Sequence, residues 1–104
     1  MSVPAQGELW WAEAEDLRRP VLVCTRSEAV AVLTSIVVAP VTRTIRRIPT
    51  EVALGHEEGL AVDCVANFDS LQVVPRRALT SRIGGLDTLR RQELCSALRS
   101  MSDC

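Results

Sequence analysis

The sequence predicts a mainly β protein, a small and strongly bent antiparallel barrel followed by one C-terminal α-helix. Before residue 87, short runs of β-branched and apolar residues alternate with Gly, Pro and Asp, a pattern typical of short strands joined by turns. After residue 87, apolar residues recur at helical spacing. A chain of 104 residues is expected to form one domain, residues 1–104, and is too short to cover a wide open sheet.

The first half of the chain predicts two strands, a helical turn and a central strand. The aromatic segment 7–13 is the first strand, and the apolar segment 20–25 is the second, where a proline is tolerated as the first residue. Ser27 can cap a short helical turn. Segment 35–41 is the most continuous β-branched run and is expected at the centre of the sheet, with Pro40 ending or bulging its pairing.

The second half predicts three more short strands, a last strand and the helix. Segments 50–54, 62–67 and 70–74 carry the short strands, and Pro75 interrupts the pattern before the last one. Gly84 and Gly85 are expected to form the turn that precedes the helix, and Asp87 is its predicted N-cap. Five to seven strands and one amphipathic helix are therefore expected.

The charged residues are nearly balanced but chemically one-sided. The formal net charge is −1, so no global field attracts nucleic acid. All twelve basic residues are arginine, whose planar guanidinium is suited to phosphate and carboxylate groups. No segment has the length and apolarity of a membrane span, and the first residues lack the order of a signal peptide. A cytoplasmic protein with no membrane contact is expected.

The sequence lacks the residue patterns of metal and cofactor sites. Its cysteines, Cys24, Cys64, Cys95 and Cys104, are scattered and have only His56 as a possible partner, so no zinc spacing is present. We expect the first three to be buried, reduced thiols and the terminal one to be exposed. No phosphate-binding glycine loop or nucleophile motif occurs either. No metal and no cofactor are predicted.

Arginine and threonine remain as the candidates for chemistry. Arg18 and Arg19 precede the second predicted strand, and a polar segment that begins at Thr42 follows the central one. If these strands are neighbours, their polar ends meet in one pocket, where a guanidinium beside a hydroxyl can bind a phosphodiester and stabilise developing charge. On residues alone, two solvated arginine loops are the favoured interpretation, because exposed arginines are common on any protein surface.

The chain resembles the MazF (PemK-like) family of toxin endoribonucleases over residues 7–101. The resemblance rests on six segments in the family's order: GELWWAE, RRPVLVCT, IVVAPVTRT, IPTEVAL, GLAVDCVANFDSLQVVPRRAL and RIGGLD. It implies a small SH3-like barrel of the CcdB–MazF type and a homodimer. It also implies sequence-specific cleavage of single-stranded RNA without a metal, which inhibits translation, and neutralisation by a cognate MazE-like antitoxin.

The resemblance also implies roles for particular residues. The family's catalytic arginine in its RPVLV motif falls on Arg19, and its threonine in P-[ILV]-T falls on Thr42. The implied reaction is attack by the 2′-hydroxyl of the RNA, which leaves a 2′,3′-cyclic phosphate and a 5′-hydroxyl. RNA contacts are expected from five further residues, namely Arg18, Arg43, Asp69, Ser70 and Trp11.

Two alternatives to an active nuclease are open, and a departure from the family supports the first. The loop between the first two strands shrinks here to residues 14–18, where family members carry a longer, glycine-containing loop. The chain could therefore be a paralogue that binds antitoxin without cutting RNA. It could also be a non-catalytic gyrase inhibitor like the CcdB toxins. Arg19 and Thr42 in matching motifs favour the nuclease.

Overall fold

The protein is a curled antiparallel half-barrel with one long helix packed against it, which confirms the predicted fold class. The computed structural model describes residues 3–14, 16–30 and 32–102. Across these residues the elements are β1 (Glu8–Ala14), β2 (Leu17–Val23), α1 (Ser27–Val30), β3 (Ser35–Thr42), β4 (Glu51–Leu54), β5 (Cys64–Asn67), β6 (Gln72–Pro75), β7 (Leu79–Gly85) and α2 (Arg91–Ser102). Three single 3₁₀ turns connect them: His56–Glu58, Phe68–Ser70 and Arg76–Ala78.

The central strand is β3, as the β-branched run predicted, because it pairs with three other strands. The strand order is β4-β5-β3-β2-β1-β7, and β6 also pairs with β3. On one side, β3 pairs with β6 up to Val38 and with β5 from Val41, so Ala39 and Pro40 lie at the change of partner. On its other side Pro40 still pairs with Val21. The prediction that pairing ends at Pro40 is therefore wrong for β2, while the missing N–H of the proline falls at the gap between β6 and β5.

The second strand begins earlier than the sequence predicted. β2 starts at Leu17, and both Arg18 and Arg19 lie inside it, opposite Glu13 and Ala12 of β1. The prediction that the arginines precede the strand was wrong because it followed the apolar run, whereas the tight β1–β2 hairpin continues the pairing through charged residues. Pro20 is thus an interior residue of the strand, next to the point where pairing with β3 begins.

Both faces of the sheet are covered by apolar side chains. One cluster lies between the sheet and α2 and includes Leu9, Leu22 and Leu94, and the other lies on the opposite face around Trp10 and Val38. Each fully buried side chain of this size contributes about 1.5–3 kcal/mol to stability. The strands that carry the functional residues are therefore anchored on both faces.

The C-terminal helix begins later than predicted. α2 starts at Arg91, and Asp87 acts as a cap one turn earlier, where its Oδ1 accepts the N–H of Arg90 at 2.7 Å. Gly84 and Gly85 belong to β7 and do not form the predicted turn. Among the helices that the structure describes, none has the length and apolarity needed to cross a membrane.

The thiols are less uniform than predicted. Cys24 and Cys64 are buried as expected, whereas Cys95 is exposed on α2, because the helix turns this position away from the sheet. Burial raises the pKa of Cys24 to about 12. The prediction for Cys104 lies outside the described residues.

A partly buried ion pair joins Arg90, the residue before α2, to the turn after β4. Glu58 is 5% exposed, and its two carboxylate oxygens accept the N–H of Gly55 at 2.7 Å and Arg90 Nη1 at 2.8 Å. Arg90 also donates to the carbonyl oxygen of Ala53 at 2.6 Å and to both oxygens of Glu93, at 2.8 and 2.9 Å. The guanidinium thus links strand, turn and helix, and residues beyond this turn form one wall of the site described below.

A second carboxylate is fixed at the start of β1. Glu8 accepts hydrogen bonds from Trp10 Nε1 at 3.1 Å and from Arg82 Nε at 2.7 Å. Partial burial raises the pKa of this carboxyl group, but these hydrogen bonds outweigh burial and hold the pKa of Glu8 below its usual value.

Candidate active site

A cavity of about 730 Å³ lies beside the first half of β2 and the end of β3, and is also lined by the segment that connects β4 to β5. Its wall combines aromatic, cationic and small polar side chains with an apolar floor. The lining residues are Trp11, Arg19, Pro20, Pro40, Val41, Thr42, Arg43, Thr44, Arg46, Leu60, Ala61, Val62, Cys64, Asn67, Ser70 and Gln72.

The structure brings Arg19 and Thr42 to the same cavity, as the resemblance implied. Val21 of β2 lies opposite Pro40 of β3 in an antiparallel pair. Arg19 comes two residues before Val21 and Thr42 two residues after Pro40, so both lie beyond the same end of this pairing. Thr42 is the last residue of β3, and its Oγ1 accepts the N–H of Thr44 at 3.1 Å. This bond orients the Thr42 hydroxyl and leaves its proton available for donation, because a hydroxyl can accept and donate together.

The electrostatics of the cavity are strongly biased. Three arginines, Arg19, Arg43 and Arg46, line it, and no carboxylate does so among the described residues. The side chain of Arg19 makes no hydrogen bond or ion pair within the part of the chain that the structure describes. Its donors are therefore available to an anion in the cavity.

A neutral polar edge faces the arginines. It is formed by Asn67 of β5, Ser70 of the following 3₁₀ turn and Gln72 of β6. Asn67 is fixed because its Oδ1 accepts the N–H of Asp69 at 3.0 Å and its Nδ2 lies 3.3 Å from Ser70 Oγ. Uncharged donors and acceptors of this kind can bond to base edges.

Two residues that the sequence placed in the RNA site lie outside the cavity lining. Arg18 stacks on the ring of Trp11, with Cζ 4.2 Å from the ring centroid. Asp69 Oδ2 accepts the hydroxyl of Thr50 at 2.6 Å. Trp11, Arg43 and Ser70 do line the cavity, and Trp10, the other tryptophan, is 5% exposed in the core.

Sequence reasoning missed several lining residues. Asn67, Gln72 and Leu60 carry no charge or spacing that marks a site, whereas Arg46 belongs to the polar segment after β3 that was expected at the pocket. Their shared role is visible only in three dimensions, because β3 bends away from β6 and toward β5.

No histidine and no carboxylate is found among the residues that line the cavity in the described part of the chain. Cys64 lines it but is 4% exposed, and its pKa is raised by burial and then by the carboxylates of Asp63 and Glu58. His56 lies in an exposed 3₁₀ turn outside the lining. Within the described ranges, no three His, Cys, Asp or Glu side chains are grouped closely enough to hold a metal ion.

Comparison with known proteins shows the family to which the chain belongs. Residues 5–102 match the family model described as PemK-like, MazF-like toxin of type II toxin–antitoxin system. The chain belongs to this family. Family membership, predicted from six short segments, is therefore confirmed.

Curated relatives of this MazF-family toxin are named as endoribonucleases. Probable endoribonuclease MazF5 of Mycobacterium tuberculosis is 37% identical over 105 residues, which span 99% of this chain and 96% of the relative. Probable endoribonuclease MazF2 of the same species is 39% identical over 95% of this chain and 98% of the relative. The prediction of an endoribonuclease thus agrees with the names of its relatives.

Solved structures share the fold. The Mycobacterium tuberculosis toxin MazF-mt6 matches with a TM-score of 0.85 and 33% identity over 92% of this chain and 96% of that chain. A MazE–MazF structure from Deinococcus radiodurans matches with a TM-score of 0.81 over 99% of this chain and 98% of that chain. At 24% identity, this second likeness shows the fold alone.

Proposed function

We propose that this MazF-family toxin is a metal-independent endoribonuclease that cleaves single-stranded RNA in the cavity lined by Arg19 of β2 and Thr42 of β3. The observation that carries the proposal is the presence of Arg19 and Thr42 in one cavity lined by three arginines and, among the described residues, by no carboxylate. The names of the curated relatives support the same activity.

The cavity suits a phosphodiester. A guanidinium presents a planar fork of donors that matches two phosphate oxygens, and the Thr42 hydroxyl supplies a further donor beside it. Arg43 and Arg46 extend the positive surface along the loop after β3, where neighbouring phosphates of the strand can bind. The neutral edge at Asn67 then faces the bases.

The proposed reaction uses the substrate's own nucleophile. The 2′-oxygen forms a bond to the adjacent phosphorus, the bond from phosphorus to the 5′-oxygen breaks, and the products are a 2′,3′-cyclic phosphate and a 5′-hydroxyl. Overall, one proton leaves the 2′-hydroxyl and one reaches the 5′-oxygen. Arg19 stabilises the charge that develops on the non-bridging oxygens, and Thr42 fixes the phosphate in line, so no protein nucleophile is required.

The same charged cavity suits a protein inhibitor. The family is described as the toxin of type II toxin–antitoxin systems. A cognate MazE-like antitoxin that inserts an extended, carboxylate-bearing segment would occupy the phosphate sites of Arg19, Arg43 and Arg46 and exclude RNA. Homodimerisation in the cytoplasm completes the proposed assembly.

Cleavage of a mixed-sequence RNA in the presence of EDTA tests the proposal. The unmodified protein should cut at defined positions. Arg19→Ala and Thr42→Val should each slow cleavage by about 10²–10³-fold, the loss typical of removing one preorganised donor to a developing oxyanion. Thr42→Ser, which keeps the hydroxyl, and Arg77→Ala, an exposed arginine outside the cavity lining, serve as matched controls.

Three outcomes would contradict the proposal. Cleavage that EDTA abolishes would show a metal-dependent reaction. Antitoxin binding without any cleavage would identify an inactive paralogue, and inhibition of gyrase without cleavage would identify a CcdB-like toxin.

A further inference from the structure

Arg18 is separated from the cavity by the aromatic ring on which it lies. Trp11 lines the cavity and Arg18 does not, although the Arg18 guanidinium carbon is 4.2 Å from the centroid of the Trp11 ring. A guanidinium stacks readily on an indole face. One face of the ring is therefore covered by Arg18, while the ring still borders the cavity.

A chain of polar contacts across three strands holds Arg18 in this position. Glu13 of β1 lies opposite Arg18 of β2, and Arg18 Nε is 3.7 Å from Glu13 Oε2. The same carboxylate oxygen accepts the hydroxyl of Thr80 of β7 at 2.5 Å. Arg18 and Glu13 are both about half exposed, with side-chain exposures of 53% and 46%. Pairs this exposed contribute little to stability, so their main effect is on orientation.

A β-bulge brings Thr80 into this series of polar contacts. Trp11 pairs with Ser81 and the next residue, Ala12, pairs with Leu79, so Thr80 is the extra residue between the two pairs. Its hydroxyl lies 3.5 Å from the Trp11 carbonyl oxygen as well as within hydrogen-bond distance of Glu13. Bulges often redirect a side chain next to an active site, and this one directs Thr80 toward the residues that support Trp11.

We infer that Trp11 is a stacking platform for one base of the RNA, and that Arg18, Glu13 and Thr80 are positioning residues that hold its ring. This inference rests on the proposed RNA substrate and adds how a base is held. A stacked base gains affinity from an aromatic ring, and a ring already fixed by Arg18 loses little conformational freedom on binding. In this proposal Arg18 contributes to RNA binding through Trp11 and makes no phosphate contact of its own.

Salt dependence separates a positioning arginine from a phosphate contact. Each phosphate contact on single-stranded nucleic acid contributes about 0.7 to the slope of log Kd against log salt concentration. The ligand is a fluorescently labelled, mixed-sequence RNA with 2′-O-methyl groups, which the proposed reaction cannot cut. Kd is measured by anisotropy between 50 and 300 mM NaCl for the full chain and its variants, about a sixfold range of salt that resolves such a slope.

We expect Trp11→Ala to raise Kd about five- to 150-fold, the range that one stacked base supplies. Arg18→Ala should raise Kd by a smaller factor with the salt slope unchanged, and adding it to Trp11→Ala should change nothing further. Thr80→Val, which removes no charge and lies outside the cavity lining, should weaken binding in the same direction. Arg77→Ala is the charge-matched control.

Three results would overturn the inference. The first is a salt slope that falls by about 0.7 in Arg18→Ala, because this indicates a phosphate contact. The second is additive loss in the double variant, and the third is unchanged Kd in Trp11→Ala. If the protein cuts RNA but gives any of these results, the inference about Trp11 is wrong and the proposed function stands. If the protein neither binds nor cuts RNA, the proposed function itself is wrong.

Discussion

Replacing Arg90 with alanine leaves the Glu58 carboxylate buried without its counter-ion. Glu58 has a side-chain exposure of 6% and would keep only its hydrogen bond from Gly55, while the carbonyl oxygen of Ala53 would lose its 2.6 Å donor. Breaking a buried pair from one side costs about 3–5 kcal/mol. Because Arg90 is itself 22% exposed and water can enter the vacated space, we expect the low end, about 3 kcal/mol.

Urea denaturation monitored by circular dichroism, at a fixed protein concentration, measures this loss. Glu93→Gln is the matched control, since Glu93 is 50% exposed and its contact with Arg90 should contribute less than about 1 kcal/mol. Adding Glu58→Gln to Arg90→Ala should restore part of the stability, because a neutral amide can still accept the Gly55 N–H. A loss below about 1 kcal/mol in Arg90→Ala, or a further loss in the double variant, would refute the reasoning.

Three further predictions concern packing, thiol reactivity and acid stability. Gly84→Ala should destabilise the fold by about 1–3 kcal/mol, because a Cβ at this position would lie 2.0 Å from the Glu58 carbonyl oxygen. An unchanged midpoint of thermal unfolding would contradict this close packing. Iodoacetamide at pH 8 should label the exposed Cys95 of the native protein well before the buried Cys24, whose pKa is about 12. Peptide mass mapping follows the order of labelling, and labelling of Cys24 first would contradict the burial of that thiol. Because the pKa of Glu8 is lowered in the folded protein, its ionised carboxylate stabilises the fold at pH values above the ordinary carboxyl pKa, and this stability is lost as the pH falls through the folded-state pKa. Glu8→Gln should therefore flatten the loss of stability between about pH 5 and 3. An unchanged pH dependence of the free energy of unfolding would argue against this role.

The sequence predicted strands well where the whole strand is a continuous run of apolar or β-branched residues. β3 was placed within one residue because its β-branched run is long, and the first strand was placed equally well. The start of β2 was missed because its first residues are charged and exposed and are held in the sheet by pairing with β1. A pattern of apolar residues indicates which part of a strand is buried. The solvent-exposed end of a hairpin carries no such pattern, so its strand residues cannot be located this way.

The site was predictable only in part, and for a different reason. Arg19 and Thr42 were located through a resemblance, since neither an arginine nor a threonine is diagnostic alone. Arg18, which was expected to contact RNA, stacks on Trp11 in the structure, a contact that no sequence pattern indicates. Asn67 was missed because Pro40 indicates that the pairing of β3 changes, but nothing local indicates that β5 is the strand that pairs with β3 beyond it.

One measurement tests the central claim most directly: cleavage, in EDTA, of two RNAs that differ at a single ribose. The first is an all-ribose oligonucleotide containing a mapped cleavage position, and the second carries 2′-deoxyribose on the 5′ side of that bond. The Arg19–Thr42 mechanism predicts that the first is cut to a 2′,3′-cyclic phosphate and a 5′-hydroxyl and that the second is not cut there. Cleavage of the deoxy-substituted bond, or products ending in a 5′-phosphate, would contradict it.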